Sequence, residues 1–250
     1  MRDITLKELL EAGCHFGHQA NRWHPKATAY IYAEREGVHI IDLVKTREGL
    51  TKAGEYLKNL AMNGGSAIFV GTKRQARAIV EEAAKKVHER YPEGSNLFYL
   101  LERWPGGLLT NFEVMVKNLS KMEDLKKSSE DSSFTKKERL LAQRELDRLR
   151  KYYGGLVGLT KLPDAIFLVD AKREPGCVQE AIRTGVTIVA ICDTNTNPES
   201  VAYPIPANDD AVGSIKIITE YLAEAWLEGL AGRKEQETEK ASAGPGNPPL

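Results

Sequence analysis

The chain reads as an α/β protein built on a parallel sheet. Residues 67–70, 164–169 and 186–192 are short, continuous apolar runs, and continuous rather than alternating apolar character marks strands covered on both faces. The first two runs each pass through a turn into a segment with helical apolar spacing, the βα order of parallel sheets. With 250 residues, 42% hydrophobic and 28% charged, the chain can bury a large core, as one domain with an insertion or as two small domains.

The net charge of zero hides a gradient. Residues 1–112 carry 16 Lys and Arg against 13 Asp and Glu, residues 113–153 carry 11 against 8, and residues 154–250 carry 8 against 14. Neutrality overall argues against a free-standing nucleic-acid binder that works by bulk charge, while one basic face inside a larger assembly remains compatible with it. The three cysteines, Cys14, Cys177 and Cys192, form no CxxC pair and suggest no disulfide framework, which fits a reducing compartment. The first residues contain no long apolar run, so neither a signal peptide nor a membrane span is expected.

In chain order, residues 5–12 predict a short helix, with Thr5 and Glu8 as a capping box and Gly13 as its stop. Residues 14–26 are aromatic and basic, without helical or strand period. His15, His18 and His24 there have no matching second pair of ligands, so hydrogen-bonding roles are favoured, with a metal site as the minority alternative. Residues 29–33 and 38–43 flank a Gly37 turn and predict a β-hairpin. Residues 46–62 predict an amphipathic helix ended by Gly64-Gly65.

The run 67–70 turns at Gly71 into a helix through Ala76, Val80, Ala83 and Val87. Its turn carries Lys73, Arg74 and Arg77. Cations in a first helical turn oppose the helix dipole, so their presence suggests an anionic partner; a solvated helix start with incidental charge is the alternative. The order Gly71-Thr72-Lys73 is not a Walker loop.

A strand at 97–101 leads to Arg103-Trp104-Pro105-Gly106-Gly107. Arg103 can pair with a phosphate, and Trp104 either stacks on a base or packs into the core. Residues 110–127 and 135–153 predict an antiparallel coiled-coil hairpin, each arm about 27 Å long. Capping boxes are expected at Thr110 with Glu113 and at Thr135 with Glu138. The strands at 164–169 and 186–192 follow, each ending at an aspartate, Asp170 and Asp193. An edge strand at 203–206 and a final helix opened by Asp209-Asp210 complete the fold. From Gly229 the polar, Gly- and Pro-rich tail reads as disordered.

Ligands of parallel sheets sit at the carboxyl ends of the strands. An enzyme would use Asp170 and Asp193 there as acid, base or Mg²⁺ ligands, with Lys73 on a phosphate. No GxGxxG, nucleophile elbow or paired metal motif accompanies them, and an aspartate after a strand commonly caps a turn.

Several motifs together carry a resemblance. They are His15-Phe16-Gly17-His18, Trp23-His24-Pro25-Lys26, residues 37–43, Phe69-Val70-Gly71-Thr72-Lys73-Arg74, Arg103-Trp104-Pro105-Gly106-Gly107 with Thr110-Asn111, Leu162-Pro163-Asp164-Ala165, Asp193-Thr194-Asn195, and residues 205–210. In this order, from about residue 5 to about residue 228, the chain resembles the bacterial-type ribosomal protein S-two family of the small subunit. Pro105 stands where the family usually has Leu, and Leu101-Glu102 where it often has Asn-His.

The resemblance implies a flavodoxin-like five-stranded parallel sheet with a projecting coiled-coil hairpin, which gives an α/β domain at 1–109 and 154–228 and a coiled-coil insertion at 110–153; the tail at 229–250, read as disordered from its composition, lies outside the resemblance. It implies a structural constituent of the ribosome, cytoplasmic with an organellar ribosome as the alternative, working in translation near the head–body junction, with neither catalysis nor cofactor. Its partners would be small-subunit rRNA and neighbouring ribosomal proteins, including in bacteria the mRNA-binding protein S-one, with no membrane and no small-molecule substrate. The rRNA contacts expected are Arg22, Lys26, Lys73, Arg74, Arg77, Arg103, Trp104 and Asn111.

Overall fold

A computed structural model describes residues 2–131 and 133–242, with side chains described through residue 238. Five parallel strands form the main sheet: β4 (Ala67–Val70), β5 (Leu97–Leu100), β6 (Ala165–Leu168), β7 (Thr187–Cys192) and β8 (Tyr203–Pro206). Their order is β5-β4-β6-β7-β8, the flavodoxin-like order expected, with the reversal of winding between β4 and β6. The strands form because each is apolar at nearly every position; β4 and β6 are buried at all four residues.

Alternate residues of these strands feed two cores. Ala67 and Phe69, with Phe167 and Ile191, face α2 (Leu43–Met62), α3 (Arg74–Arg90) and α7 (Val212–Ser242) through Leu57, Val80, Ile215 and Trp226. Ile68 and Val70, with Ile166 and Leu168, face α6 (Pro175–Thr184) and the segment 104–109. Phe69 and Phe167, both fully buried, meet edge to face at 5.1 Å. Burial of each stabilises the fold by about 1.5–3 kcal/mol.

A second, antiparallel sheet precedes the main one: β1 (Phe16–Gln19), β2 (Ile31–Arg35) and β3 (Val38–Ile41), in the order β1-β3-β2. The β2–β3 hairpin matches the expectation, and Glu36 and Gly37 both take positive φ, as its two-residue turn requires. Strand β1 does not match it. The segment lacks strand period because β1 is four residues long and its register with β3 is irregular between Phe16 and Gln19. Helix α1 (Leu6–Glu11) has the Thr5–Glu8 capping box.

Helices α4 (Phe112–Glu130) and α5 (Lys136–Tyr153) pack as a hairpin on a small cluster of Met122, Leu146 and Leu149, with Leu119, Leu125 and Tyr153 around it. The Thr135–Glu138 capping box is formed. The one expected at Thr110 is not, because α4 begins at Phe112 and Asn111 is its N-cap without a side-chain bond. Thr110 instead gives its hydroxyl to Glu180, 3.4 Å away.

The reading of a disordered tail from Gly229 is corrected for residues 229–242. Helix α7 runs through Ser242, and Leu230 is 4% exposed. Its glycines are packing points rather than breakers: Gly229 packs against Lys58 and Ala61 of α2. Residues 243–250 lie outside the described residues.

Candidate nucleic-acid interface

The winding reversal between β4 and β6 is where a flavodoxin-like sheet holds its ligand. Here an ion cluster occupies it. Gly71 carries the chain from β4 to Lys73, the N-cap of α3, and the Lys73 ammonium meets Asp209 at 2.7 Å, Asp210 at 2.8 Å and Asp170 at 2.9 Å. It also donates to the Asp209 backbone carbonyl at 3.0 Å. Burial alone would lower the pKa of Lys73, yet the Asp209 carboxylate, with Asp210 and Asp170, lifts it above the ordinary lysine value. Burial, with the charges of Asp170 and Asp193, pushes the Asp209 carboxyl up to about 7.

The N-terminal sheet closes the same end. The backbone N–H of His18 donates to the Thr194 hydroxyl at 3.0 Å, and that of His24 to the Thr194 carbonyl at 2.7 Å. Gly17 permits this approach, since a Cβ there would lie 2.7 Å from Thr194 Cγ2. His18 Nδ1 then sits 3.0 Å from Asp193, whose hydrogen bond raises the imidazole pKa despite burial.

Donor atoms of His18, Asp193 and Asp209 lie within 4.8 Å of one another, and Asp209 Oδ2 is buried without a hydrogen-bond partner. One imidazole and two carboxylates are a donor set that can hold a divalent cation. The lone HxxH in the sequence could not signal it, because both aspartates lie over 170 residues away.

Asp170 and Asp193 order their turns. Asp170 accepts the Arg173 N–H at 2.8 Å, and Asp193 accepts the Thr194 N–H at 2.5 Å and its hydroxyl at 3.1 Å.

Two of the expected RNA contacts are corrected here. Lys73 is 8% exposed, and its ammonium is taken by carboxylates of its own chain. Trp104 is 8% exposed in the second core, with its indole N–H donated to Glu180 at 3.1 Å, so no face is open to a base.

The other expected contacts lie at the surface in two groups. Arg22 and Lys26 flank the first sheet, both exposed, with Lys26 paired to Glu199. Arg74 and Arg77 open α3, Arg103 follows β5, and Asn111 caps α4. Glu102 ties this second group to the hairpin, meeting Arg77 at 3.1 Å and Lys151 of α5 at 3.8 Å. Arg103 lies 5.7 Å over the Tyr152 ring, also on α5. The start of α3, the Arg103 loop and the hairpin root thus form one basic arc. The sequence does not single out Lys151, Tyr152 and Arg148, because only the hairpin's docking brings them beside Arg103.

A flavodoxin-like domain whose ligand crevice is filled by internal ion pairs, with a basic arc on its outer face, has the arrangement of a protein that binds a partner at its surface. The family model of ribosomal protein S2 matches residues 9–229. A small ribosomal subunit protein uS2 of Dictyoglomus thermophilum is 46% identical over 239 residues, covering 94% of each chain. The chain belongs to the ribosomal protein S2 family. It is therefore a structural, non-catalytic constituent of the small ribosomal subunit, acting in translation on the cytoplasmic ribosome among rRNA and other ribosomal proteins. Among the described residues, no helix is long and apolar enough to cross a membrane.

Proposed function

We propose that this chain holds small-subunit rRNA near the head–body junction through its basic arc, and that it helps dock the mRNA-binding protein S-one. The continuity of Arg74, Arg77, Arg103 and Lys151 across three elements carries the first part. Arginine and lysine gathered on one face neutralise phosphates, and Asn111 adds a hydrogen-bonding group at the start of the hairpin. Arg22 and Lys26 supply a second contact from the first sheet. Family membership supports the S-one role, and Leu10, Tyr32 and Val44, at 52%, 76% and 43% exposed, offer an apolar face for a protein partner.

Incorporation into small subunits, followed on sucrose gradients over a salt series, tests the rRNA reading. Arg77→Ala with Arg103→Ala should weaken incorporation and lower its salt dependence by about one unit for each phosphate left unneutralised. Unchanged incorporation at high salt would remove the arc from the interface. For S-one, Tyr32→Ser with Leu10→Ser should release that protein while leaving the subunit assembled, and retention of S-one would exclude this face.

A further inference from the structure

Between the Arg103 loop and the root of the hairpin lies a cleft of ≈ 400 Å³, with Arg103, Pro105, Asn118, Arg148, Tyr152 and Tyr153 in its walls. We infer that this cleft seats one unpaired RNA nucleotide, with its phosphate on Arg103 and Arg148 and its base or ribose against Tyr152. The inference rests on the proposed rRNA binding and deepens it, by naming the form of RNA recognised and two residues that the arc alone does not.

Charge is the first support. Arg103 is exposed and, among the described residues, has no carboxylate within ion-pair distance; it lies over the Tyr152 ring, 5.7 Å from the centroid. A guanidinium without a carboxylate partner keeps its N–H groups available for a phosphate. Arg148 reaches Glu145 only at 3.6 Å, and that carboxylate is already taken by Lys121 at 2.6 Å. At the rim, Glu102 is shared by Arg77 and Lys151. Five cations therefore surround two carboxylates, and the surplus is positive.

Shape and surface are the second support. The volume lies within the range of small-ligand sites and suits a single nucleotide. Tyr153 is a fixed wall, its hydroxyl accepting from the Asn118 amide at 3.3 Å and its ring packed against the Met122 cluster. Tyr152 is half-buried, and its ring lies beneath Arg103. An aromatic face beside paired guanidinium groups is the arrangement that holds splayed bases of single-stranded RNA.

The test uses the full-length protein and fluorescence anisotropy across a salt series. The probes are a mixed-sequence single-stranded RNA of roughly ten nucleotides and the same RNA as a duplex. Arg103→Ala and Arg148→Ala should each weaken single-strand binding and lower its salt slope by about one. Tyr152→Ala should weaken the single strand about tenfold and leave the duplex nearly unchanged, while Tyr152→Phe retains binding. Arg22→Ala, outside the cleft, should weaken both probes alike. Melting temperatures equal to wild type would confirm that the variants fold. If wild type binds and Arg22→Ala weakens it while the cleft variants change nothing, the cleft inference falls and rRNA binding stands. Equal weakening of both probes by Tyr152→Ala would also overturn the seat. Wild type that binds neither probe would overturn both readings.

Discussion

The Trp104 indole N–H donates to the Glu180 carboxylate at 3.1 Å, joining the loop after β5 to α6 across the second core. The same oxygen accepts the Gly107 N–H at 2.7 Å, and the other accepts those of Leu109 at 3.0 Å and Thr110 at 3.3 Å. A buried charge is tolerated because backbone donors converge on it. The loop that presents Arg103 is thus wound around one carboxylate from another element.

Replacing Glu180 should therefore loosen that loop. Glu180→Gln puts an NH₂ where an acceptor stood, and should cost about 1.5–3 kcal/mol in urea unfolding. Burial alone would raise the Glu180 pKa, but the Gly107 and Leu109 N–H groups and the Trp104 indole bring it below the ordinary value of 4.5. A depressed acid contributes stability above its unfolded pKa and loses it as pH falls through the folded one. Wild type should accordingly lose more stability than Glu180→Gln as the pH falls below the ordinary value of 4.5. Parallel pH profiles would show that the carboxylate's charge is not what holds the loop.

What is legible in the sequence is local. The apolar runs at Ile68 and Ile166, the Thr5 and Thr135 capping boxes and the Gly37 turn each involve neighbours within a few positions. Glu180 gives no such signal, because its donors lie 70 to 76 residues away. Lys73 reads as a phosphate contact for the same reason: a cation at a helix start calls for an anion, and nothing local shows that the anion is Asp209, 136 residues on. Arg103 stands out because a loop cation after a strand is a surface feature, whereas Asn111 enters only with the motif that carries the resemblance. Tyr152 does not stand out, because its register toward Arg103 is set by how the hairpin docks.

Lys73 should act as a folding residue. Lys73→Ala would leave Asp170, Asp209 and Asp210 without their shared cation, and breaking such a buried pair costs about 3–5 kcal/mol. Lys73→Met with Asp209→Asn removes one charge of each sign and should recover part of that loss. Urea denaturation of the three proteins checks this. Should Lys73→Ala melt like wild type and yet bind rRNA weakly, the lysine would belong to the interface after all.

The proposed division at residues 110–153 should be inexact at the hairpin's root. Met115 is 2% exposed within the second core, and Phe112 and Val116 pack on the same cluster. Replacing residues 121–148 by a short Gly-Ser link should leave one cooperative melting transition. Replacing 113–153 should cost at least about 2–5 kcal/mol, the usual loss for a buried methionine. Loss of cooperativity in the shorter deletion would make the outer hairpin part of the core, and a harmless longer deletion would make its root dispensable.

Two glycines of α7 should respond with opposite sign. In an exposed helix interior, Gly→Ala gains about 0.5–1 kcal/mol from the backbone alone. At Gly229 a Cβ would lie 2.2 Å from the Lys58 carbonyl oxygen and 2.8 Å from the Ala61 Cβ, so α2 and α7 would have to separate. That displacement disturbs Leu57 and Trp226, both fully buried, and overpacking of this kind costs about 1–3 kcal/mol. At Gly232 the nearest atom is the Met62 sulfur at 3.4 Å, which a flexible side chain can yield. Gly229→Ala should therefore lower the melting temperature and Gly232→Ala should raise it slightly. A chain unstructured from residue 229 would be indifferent to both, so two neutral substitutions would remove the packed end of α7, whereas opposite shifts require the two helices to touch there.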